Sequence, residues 1–553
     1  MLYLEKDTLA ALVTGAARKY GALPALQIYR DGGVYGAVTY AAFARRAAQF
    51  ALLLRGLGCG RGAKVLILSE NRPEWAFAFF GAALAGAVAV PLLTGFSAAQ
   101  VETIAAHCGA KAICCGAAGL EKAMAVGLSP IIKLDSLEGD RVSVILHGAE
   151  ETMPLANEPQ ALETALREGD ASCAPEDSAS IIYTSGTTGR SKGVCLSHRN
   201  ILFVARTSRA LMKIYPRDRL LSLIPLAHAY ECSLGLAAPL LSGASISYLD
   251  RAPAPAALLQ AMQALRPTAL VSVPLFIEKL CRARIFPRLE KNPLYRCPLT
   301  RILAIKLAGF RLIGALGGAL RFFGVGGAPL AEDVERFLRT AGFPYSPGYG
   351  LTEAAPLVAG TAPYRFTRGS AGRILDGVQI RFVKGDGQAF DLADGEIQVK
   401  GPNVMQGYYH AEEMTREAFT SDGWLRTGDT GFIDKKGCLH IRGRVKDIIL
   451  GPSGENIYPA DIECILSAST LVEDALVVPG PRGELVALIV LSEKAQTAAA
   501  ALSDRLEELR RKVNQNLASF SRLARIEVRD APFEKTPTQK IRRFLYRPAE
   551  AGI

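Results

Sequence analysis

The sequence predicts an α/β fold. A large layered N-terminal domain, made of two β-sheet/helix subdomains and a β-rich subdomain, precedes a small α+β C-terminal domain. Three observations predict it. Apolar runs of strand length alternate with helical patterns over the first 180 residues, and again from 220 to 347. Short β segments separated by Gly/Asp turns follow residue 377, and the last hundred residues form a separate block. Strands alternating with helices build a layered, largely parallel sheet.

In the first block, Lys64–Leu68 is a buried-strand run that ends at Ser69-Glu70-Asn71, and a helical stretch over 73–85 follows it. Strand runs return at 87–93, 112–115, 142–146 and 181–182. After residue 377, the segments 379–383, 396–399, 431–433 and 438–441 are strands, and Asp434-Lys435-Lys436-Gly437 is a hairpin turn between the last two. The final block opens with 447–450 and has strand runs at 474–479 and 484–491. Leu506, Leu509, Val513 and Leu517 then recur at helical spacing behind Ser503, the expected N-cap. The boundary between a domain of residues 1–443 and one of 444–553 falls at 444–447.

The composition is ordinary for a globular chain: 553 residues, 49% hydrophobic and 21% charged. A formal net charge of +11 fits a nucleic acid, a membrane surface or an anionic substrate, or simply a basic surface. Position says more than the total. Between residues 281 and 321 stand nine Lys or Arg and one acid, Glu290. They interleave with Ile302, Leu303, Ile305, Leu307, Phe310, Leu312 and Ile313, and Phe322 and Phe323 come just after. That pattern suits a helix lying on an anionic bilayer, and equally a core helix flanked by solvated charges.

Eleven cysteines without a CxxC pair indicate a reduced chain with buried thiols, and Cys195 and His198 have no second pair to complete a zinc set. Uncharged stretches at 75–101 and 232–249 are interrupted by Pro91 and Pro239, so each reads as a buried helix followed by a buried strand. The start carries early acids and no apolar signal core, which fits a cytoplasmic protein, with peripheral contact to the inner face of a membrane as an addition.

The sharpest chemical signal is the run Tyr183-Thr184-Ser185-Gly186-Thr187-Thr188-Gly189-Arg190-Ser191-Lys192-Gly193-Val194, directly after Ile181-Ile182. Glycines let backbone N–H groups approach phosphate oxygens, hydroxyls add donors, and Lys192 supplies a cation. It is not a GxxxxGK[ST] loop, because Lys192 stands between Ser191 and Gly193.

This run closely resembles the signature loop of the adenylate-forming superfamily, which contains acyl-CoA synthetases, luciferases and peptide-synthetase adenylation domains. Further segments resemble that family's motifs in its order: Pro225-Leu226-Ala227-His228, Val325-Gly326-Gly327-Ala328-Pro329, Tyr349-Gly350-Leu351-Thr352-Glu353, Gly369-Ser370-Ala371-Gly372-Arg373, Trp424-Leu425-Arg426-Thr427-Gly428-Asp429, Gly443-Arg444-Val445-Lys446-Asp447 and Lys535-Thr536-Pro537-Thr538-Gln539-Lys540-Ile541. The resemblance runs from about residue 25 to the end of the chain. Two departures stand out: Ser191 where the family has proline, and Gln539 where it has glycine.

The resemblance implies ATP, Mg²⁺ and coenzyme A as cofactor and co-substrates, and no nucleic-acid partner. Adenylation joins a carboxylate to the α-phosphate of ATP, so cations and donors must offset the meeting of two anions. On that basis Thr184, Ser185, Gly186, Thr187, Thr188, Gly189 and Lys192 hold the phosphates, and Thr352 donates to the α-phosphate. Glu353 and Thr188 hold Mg²⁺, because a single carboxylate beside phosphate oxygens suits that ion. Tyr349 stacks on adenine, with Gly326, Gly327, Ala328 and Gly350 leaving room, while Asp429 and Arg444 reach the ribose. Lys540 bridges the carboxylate and the α-phosphate. Thr184, Glu353, His228 and Lys540 form the catalytic set, with His228 shaping the acyl pocket. Lys446 is the hinge on which the small, mobile C-terminal domain turns. Gly451, Ser453, Gly454 and Glu455 then face the CoA side.

Within the family, Pro225–Glu231, the run Val273-Pro274-Leu275-Phe276-Ile277-Glu278-Lys279 and the run Ser453-Gly454-Glu455-Asn456-Ile457-Tyr458-Pro459 resemble the long-chain fatty acid–CoA ligases. The expected reaction is ATP-dependent ligation of a medium- to long-chain fatty acid to coenzyme A. Loading of an acyl carrier protein and ligation of an aryl acid remain as alternatives.

Overall fold

The computed structural model describes residues 2–30, 32–185, 191–250, 255–384, 389–390, 395–450, 456–469, 471–480, 484–492, 495, 502–515, 517–536 and 541–546. Among these residues, two nine-stranded sheets form the bulk of the chain. In the first sheet the strands Tyr345–Gly350, Phe322–Val325, Ala269–Ser272, Arg219–Leu221, Ser245–Leu249 and Pro24–Arg30 run parallel in that spatial order. Antiparallel strands edge it on both sides. In the second, Ser178–Ser185, Val88–Leu92, Lys64–Leu68, Ala110–Cys115 and Ile131–Lys133 run parallel. The hairpin partner Ser191–Ser197 and the short strand Gly407–Tyr408 add to its edge antiparallel.

The helix Pro73–Ala85 shows why the elements form where they do. Proline at its first turn tolerates the missing N–H, and Gly86, at φ 75°, closes the end with bonds to Ala82 and Ala83. Every residue of the helix except Glu74 is buried, so the helix lies between the sheets. Trp75 stacks on Phe79 at 5.1 Å, and Phe80 meets Phe43 edge-on at 5.3 Å. Burial of such side chains is worth about 1.5–3 kcal/mol each. One continuous core joins both large sheets and the antiparallel five-stranded sheet built on Gln379–Val383, Gly395–Lys400, Leu425–Ile433 and Leu439–Arg444.

A three-stranded sheet of Val472–Pro479, Leu485–Leu491 and Leu523–Arg529 forms the centre of the C-terminal block and has its own core with the helices Pro459–Ser467 and Leu502–Gln515. Arg282 bridges this block to the rest: its guanidinium donates to the Ser467 carbonyl and, at 3.2 Å, to Asp333 Oδ1.

Several sequence expectations need correction. The helix of the C-terminal block begins at Leu502, so Ser503 lies inside its first turn and is not its N-cap. Phe322 and Phe323 form a central strand with almost no exposure, so they do not continue the basic surface. Two of the nine cations of that stretch also point inward: Arg282 at the junction just described, and Arg321, which pairs with the buried Asp218. The remainder is organised by the helix Arg301–Ala315. Ala304, Gly309 and Leu312 are buried and Ile302, Leu303, Leu307 and Phe310 face outward. Among the described residues no helix is long and apolar enough to cross a membrane.

Candidate active site

In parallel sheets, ligand sites form beyond the carboxyl ends of the strands. Three of the predicted segments lie there. The strand Ser178–Ser185 leads into the signature run, Phe322–Val325 leads to Gly326 and Gly327, and Tyr345–Gly350 leads to Thr352 and Glu353.

Thr184 and Lys192 face each other across the hairpin, which Ser185 and Ser191 close. Ser191, where the family has proline, therefore sits within the ladder. Gly186, Thr187, Thr188 and Gly189 lie outside the described residues. On the next strand, Val194 pairs with Tyr408. The Lys192 ammonium lies 5.0 Å from the centre of the Tyr408 ring, and the Tyr408 hydroxyl donates to Glu353 Oε1 at 2.9 Å. Burial, and then the Glu353 carboxylate, hold that phenol protonated.

Glu353 stands in a single turn of 3₁₀ helix, Thr352–Ala354, and its carbonyl accepts from the Met405 N–H at 2.8 Å. The approach to this turn depends on Gly350: a Cβ there would lie 1.9 Å from the Pro356 carbonyl oxygen. Among the described residues no group of three His, Cys, Asp or Glu side chains is arranged to hold a metal ion. Glu353 thus offers one carboxylate, with Tyr408 on one oxygen, a donor set that fits Mg²⁺ shared with phosphate oxygens and water.

The ribose candidates also converge. Asp429 and Arg444 are opposite one another on neighbouring strands, with Arg444 Nε 3.3 Å from Asp429 Oδ1. The Tyr349 hydroxyl donates to Asp429 Oδ2 at 2.6 Å, and Asp429 N–H donates to Thr427 Oγ1 at 3.1 Å. Burial foremost, then the Asp429 charge, raise the Tyr349 phenol well above its ordinary value. Gly327 has φ 86° and Ala328 is exposed, so the turn after Phe322–Val325 presents little side chain.

His228 is half-buried, and its Nδ1 accepts the Tyr230 N–H at 3.2 Å, which leaves the ring proton on Nε2. Its segment touches both turns of the site. The Tyr230 ring would be 3.4 Å from a Cβ on Gly326, and Ser233 Oγ donates to the Ala355 carbonyl at 2.8 Å. Just beyond, Glu231 is fully buried against Ser222, and burial pushes its carboxyl up to about 8.

Lys446 is exposed in the 3₁₀ turn Val445–Asp447. Lys540, Gly451, Ser453, Gly454 and Glu455 lie outside the described residues. The flanks of Lys540 are placed: Lys535 pairs with Ile541, Arg542 N–H donates to the Glu534 carbonyl at 2.9 Å, and Arg543 pairs with Asp447 and Glu463.

Sequence reading missed Tyr408, Tyr230 and Thr427. The placement of Tyr408 shows only in the structure: Gly407 has φ 143°, a Cβ there would meet Thr415 Cγ2 at 2.8 Å, and Thr415 Oγ1 accepts the Tyr408 N–H at 2.9 Å.

The chain is similar to known proteins over nearly its whole length. The family model described as AMP-binding enzyme matches residues 13–409, and the one described as AMP-binding enzyme C-terminal domain matches residues 446–546. A long-chain-fatty-acid–CoA ligase of Mycobacterium bovis, FadD15, is 31% identical over 98% of this chain and 95% of its own. The o-succinylbenzoate CoA synthetase of Bacillus subtilis is 25% identical. In complex with its acyl-adenylate intermediate it superposes with a TM-score of 0.76 over 98% of this chain and 99% of its own. Its complex with ATP and magnesium gives 0.73 over 96% and 98%. Matched by one family model over residues 13–409 and by another over 446–546, and alike in sequence to a relative over nearly its whole length, the chain belongs to the AMP-binding enzyme family.

Proposed function

We propose that this chain activates a medium- to long-chain fatty acid as its acyl-adenylate, releasing pyrophosphate from ATP, and then transfers the acyl group to coenzyme A. It is an acid–thiol ligase of the AMP-forming kind. The observation that carries the reading is the meeting of Lys192 and Glu353 at Tyr408, which supports the roles of phosphate cation and metal carboxylate within one site.

The roles follow from charge. Lys192, Thr184 and the hydroxyls and backbone of the signature run hold the β- and γ-phosphates, and Thr352 donates to the α-phosphate. Glu353 and Thr188 would hold Mg²⁺, which would supply charge neutralisation to the phosphates. Tyr349, Gly326, Gly327, Ala328 and Gly350 frame the adenine, and Asp429 with Arg444 holds the ribose. The substrate carboxylate attacks the α-phosphorus and pyrophosphate departs. Lys540 offsets the charge that develops between them. The chain from residue 444 on then rotates about Lys446 and brings Gly451, Ser453, Gly454 and Glu455 to the thiol.

The long-chain class is supported by the likeness to FadD15, and by an outward face of Ile302, Leu303, Leu307 and Phe310 beside Arg301, Lys306 and Arg311, suited to a bilayer from which fatty acid is drawn. An aryl acid is the second reading, favoured by the likeness to the o-succinylbenzoate enzyme. A screen of pyrophosphate release over acids of increasing chain length and aryl acids, with coenzyme A, with acyl carrier protein and with neither, tests the proposal. Long-chain turnover that needs coenzyme A supports it. Release confined to aryl acids, or acceptance by the carrier protein alone, overturns it.

A further inference from the structure

Lys192 and Glu353 carry opposite charges and face one side chain, yet they form no ion pair with each other among the described residues. Tyr408 engages both. Its ring meets the ammonium at 5.0 Å, a cation–π contact, and its hydroxyl holds one carboxylate oxygen at 2.9 Å. Its own placement is fixed three ways: Val194 pairs with it, Thr415 takes its N–H, and Gly407 admits no larger residue. Two opposite charges in direct contact, about 4 Å apart, attract by about 4 kcal/mol at an effective dielectric near 20, so the two would pair if nothing stood between them. A direct pair would leave the phosphates without a cation and the metal without a free carboxylate.

We infer that Tyr408 is a positioning residue for the nucleotide site, a spacer that reserves Lys192 for phosphate and Glu353 for the divalent cation. The inference rests on the roles given above to Lys192 and Glu353. Groups that orient a metal-binding carboxylate change metal affinity roughly 10- to 100-fold when removed.

The test uses the full-length protein without acid substrate. Mn²⁺ binding in the presence of ATP is followed by its electron paramagnetic resonance signal, and ATP binding in EDTA by calorimetry. Tyr408→Phe keeps the ring and loses the hydroxyl, so Mn²⁺ should bind roughly 10-fold more weakly while metal-free ATP affinity stays at the parent value. Tyr408→Leu lets Lys192 fall onto Glu353 and should weaken both. Adding Glu353→Gln to Tyr408→Leu removes the attracting charge and should restore metal-free ATP binding, a rescue that a merely structural role for Tyr408 does not produce. Parent-like Mn²⁺ affinity in Tyr408→Phe, or no rescue, overturns the inference. Glu353→Gln alone separates the two levels: if it leaves Mn²⁺ binding unchanged, the metal role of Glu353 itself fails. If it weakens Mn²⁺ binding and Tyr408→Phe does not, only the spacer role fails.

Discussion

Tyr349 and Asp429 belong to different sheets, and the Tyr349 hydroxyl donates to Asp429 Oδ2 at 2.6 Å. With Arg444 at the other oxygen, the carboxylate is held and aimed from two sides although only 7% of Asp429 is exposed. Hydrogen bonds to a charged group contribute about 1.5–3 kcal/mol, so Asp429→Ala should weaken ATP binding about 10- to 100-fold. Tyr349→Phe should cost less, because Arg444 remains. Calorimetric titration with ATP measures both, and an unchanged affinity in Asp429→Ala removes the residue from the nucleotide site.

The two half-reactions should separate by mutation. Arg543 pairs with Asp447, which ties the segment after Lys540 to the turn that holds Lys446. Lys540→Ala should abolish acid-dependent pyrophosphate exchange while ATP still binds, because the role proposed for the lysine is to offset developing charge and not to hold the bound nucleotide. Proline at 446 fixes one backbone state at the turn. Lys446→Pro should therefore slow transfer from preformed acyl-adenylate to coenzyme A far more than it slows adenylation. Equal loss in the two assays would contradict the hinge.

Much of this fold was legible in the sequence where one residue pattern left no alternative. The strands Lys64–Leu68 and Gln379–Val383 and the helix Pro73–Ala85 stand at their expected bounds, the helix because proline opens it and Gly86 closes it. The turn at Asp434 also forms, with Asp434 N–H donating to the Cys438 carbonyl at 2.9 Å. Ser503 misled because a serine ahead of a periodic run looks the same one position inside the helix as at its cap. The site was legible as motifs, and its wiring was not. Tyr408 acts through Lys192 and Glu353, which adjoin it only because Gly407–Tyr408 pairs with Ser191–Ser197, a contact far apart in sequence. The exposure of one face of the basic helix depended likewise on tertiary packing. A Cβ at Gly309 would meet the Ala341 carbonyl at 2.5 Å, and that close approach sets which face turns outward.

Stability should carry the mark of Glu231. In the unfolded chain its carboxyl releases its proton near 4.5, and in the fold only near 8. Between those values the native state holds a proton that the unfolded state has lost, so this stabilisation is complete below 4.5 and disappears as pH rises through 8. His198 works in the opposite sense. Burial lowers it from 6.5 to about 4, and its share is lost as pH falls through that range. Glu231→Gln removes only the first effect. Denaturant unfolding between about pH 5 and pH 8 should therefore show the variant gaining on the parent as pH rises. A stability difference that stays constant across the range shows that Glu231 is already ionised in the fold.

The outward face of the helix Arg301–Ala315 leads to the last prediction. Ile302, Leu303 and Phe310 are 60%, 53% and 76% exposed, and Leu299 just ahead of the helix is 94% exposed. Arg301, Lys306 and Arg311 flank them, and Arg284, Arg288, Lys291 and Arg296 are exposed on the preceding segments. Apolar side chains enter the acyl boundary of a bilayer while such cations meet anionic headgroups. Leu303→Glu with Phe310→Glu removes two side chains that a bilayer would bury, at about 1.5 kcal/mol or more each, roughly a hundredfold in partition. The parent should float with phosphatidylserine vesicles and be released by salt, and the double variant should remain with the free protein. Because the helix Arg301–Ala315 packs chiefly on the helices Glu332–Ala341, Pro293–Arg296 and Pro255–Leu265, and Leu303 and Phe310 are on its exposed face, turnover of a freely soluble medium-chain acid should stay near the parent rate. Equal flotation of both proteins would mean that another surface meets the membrane.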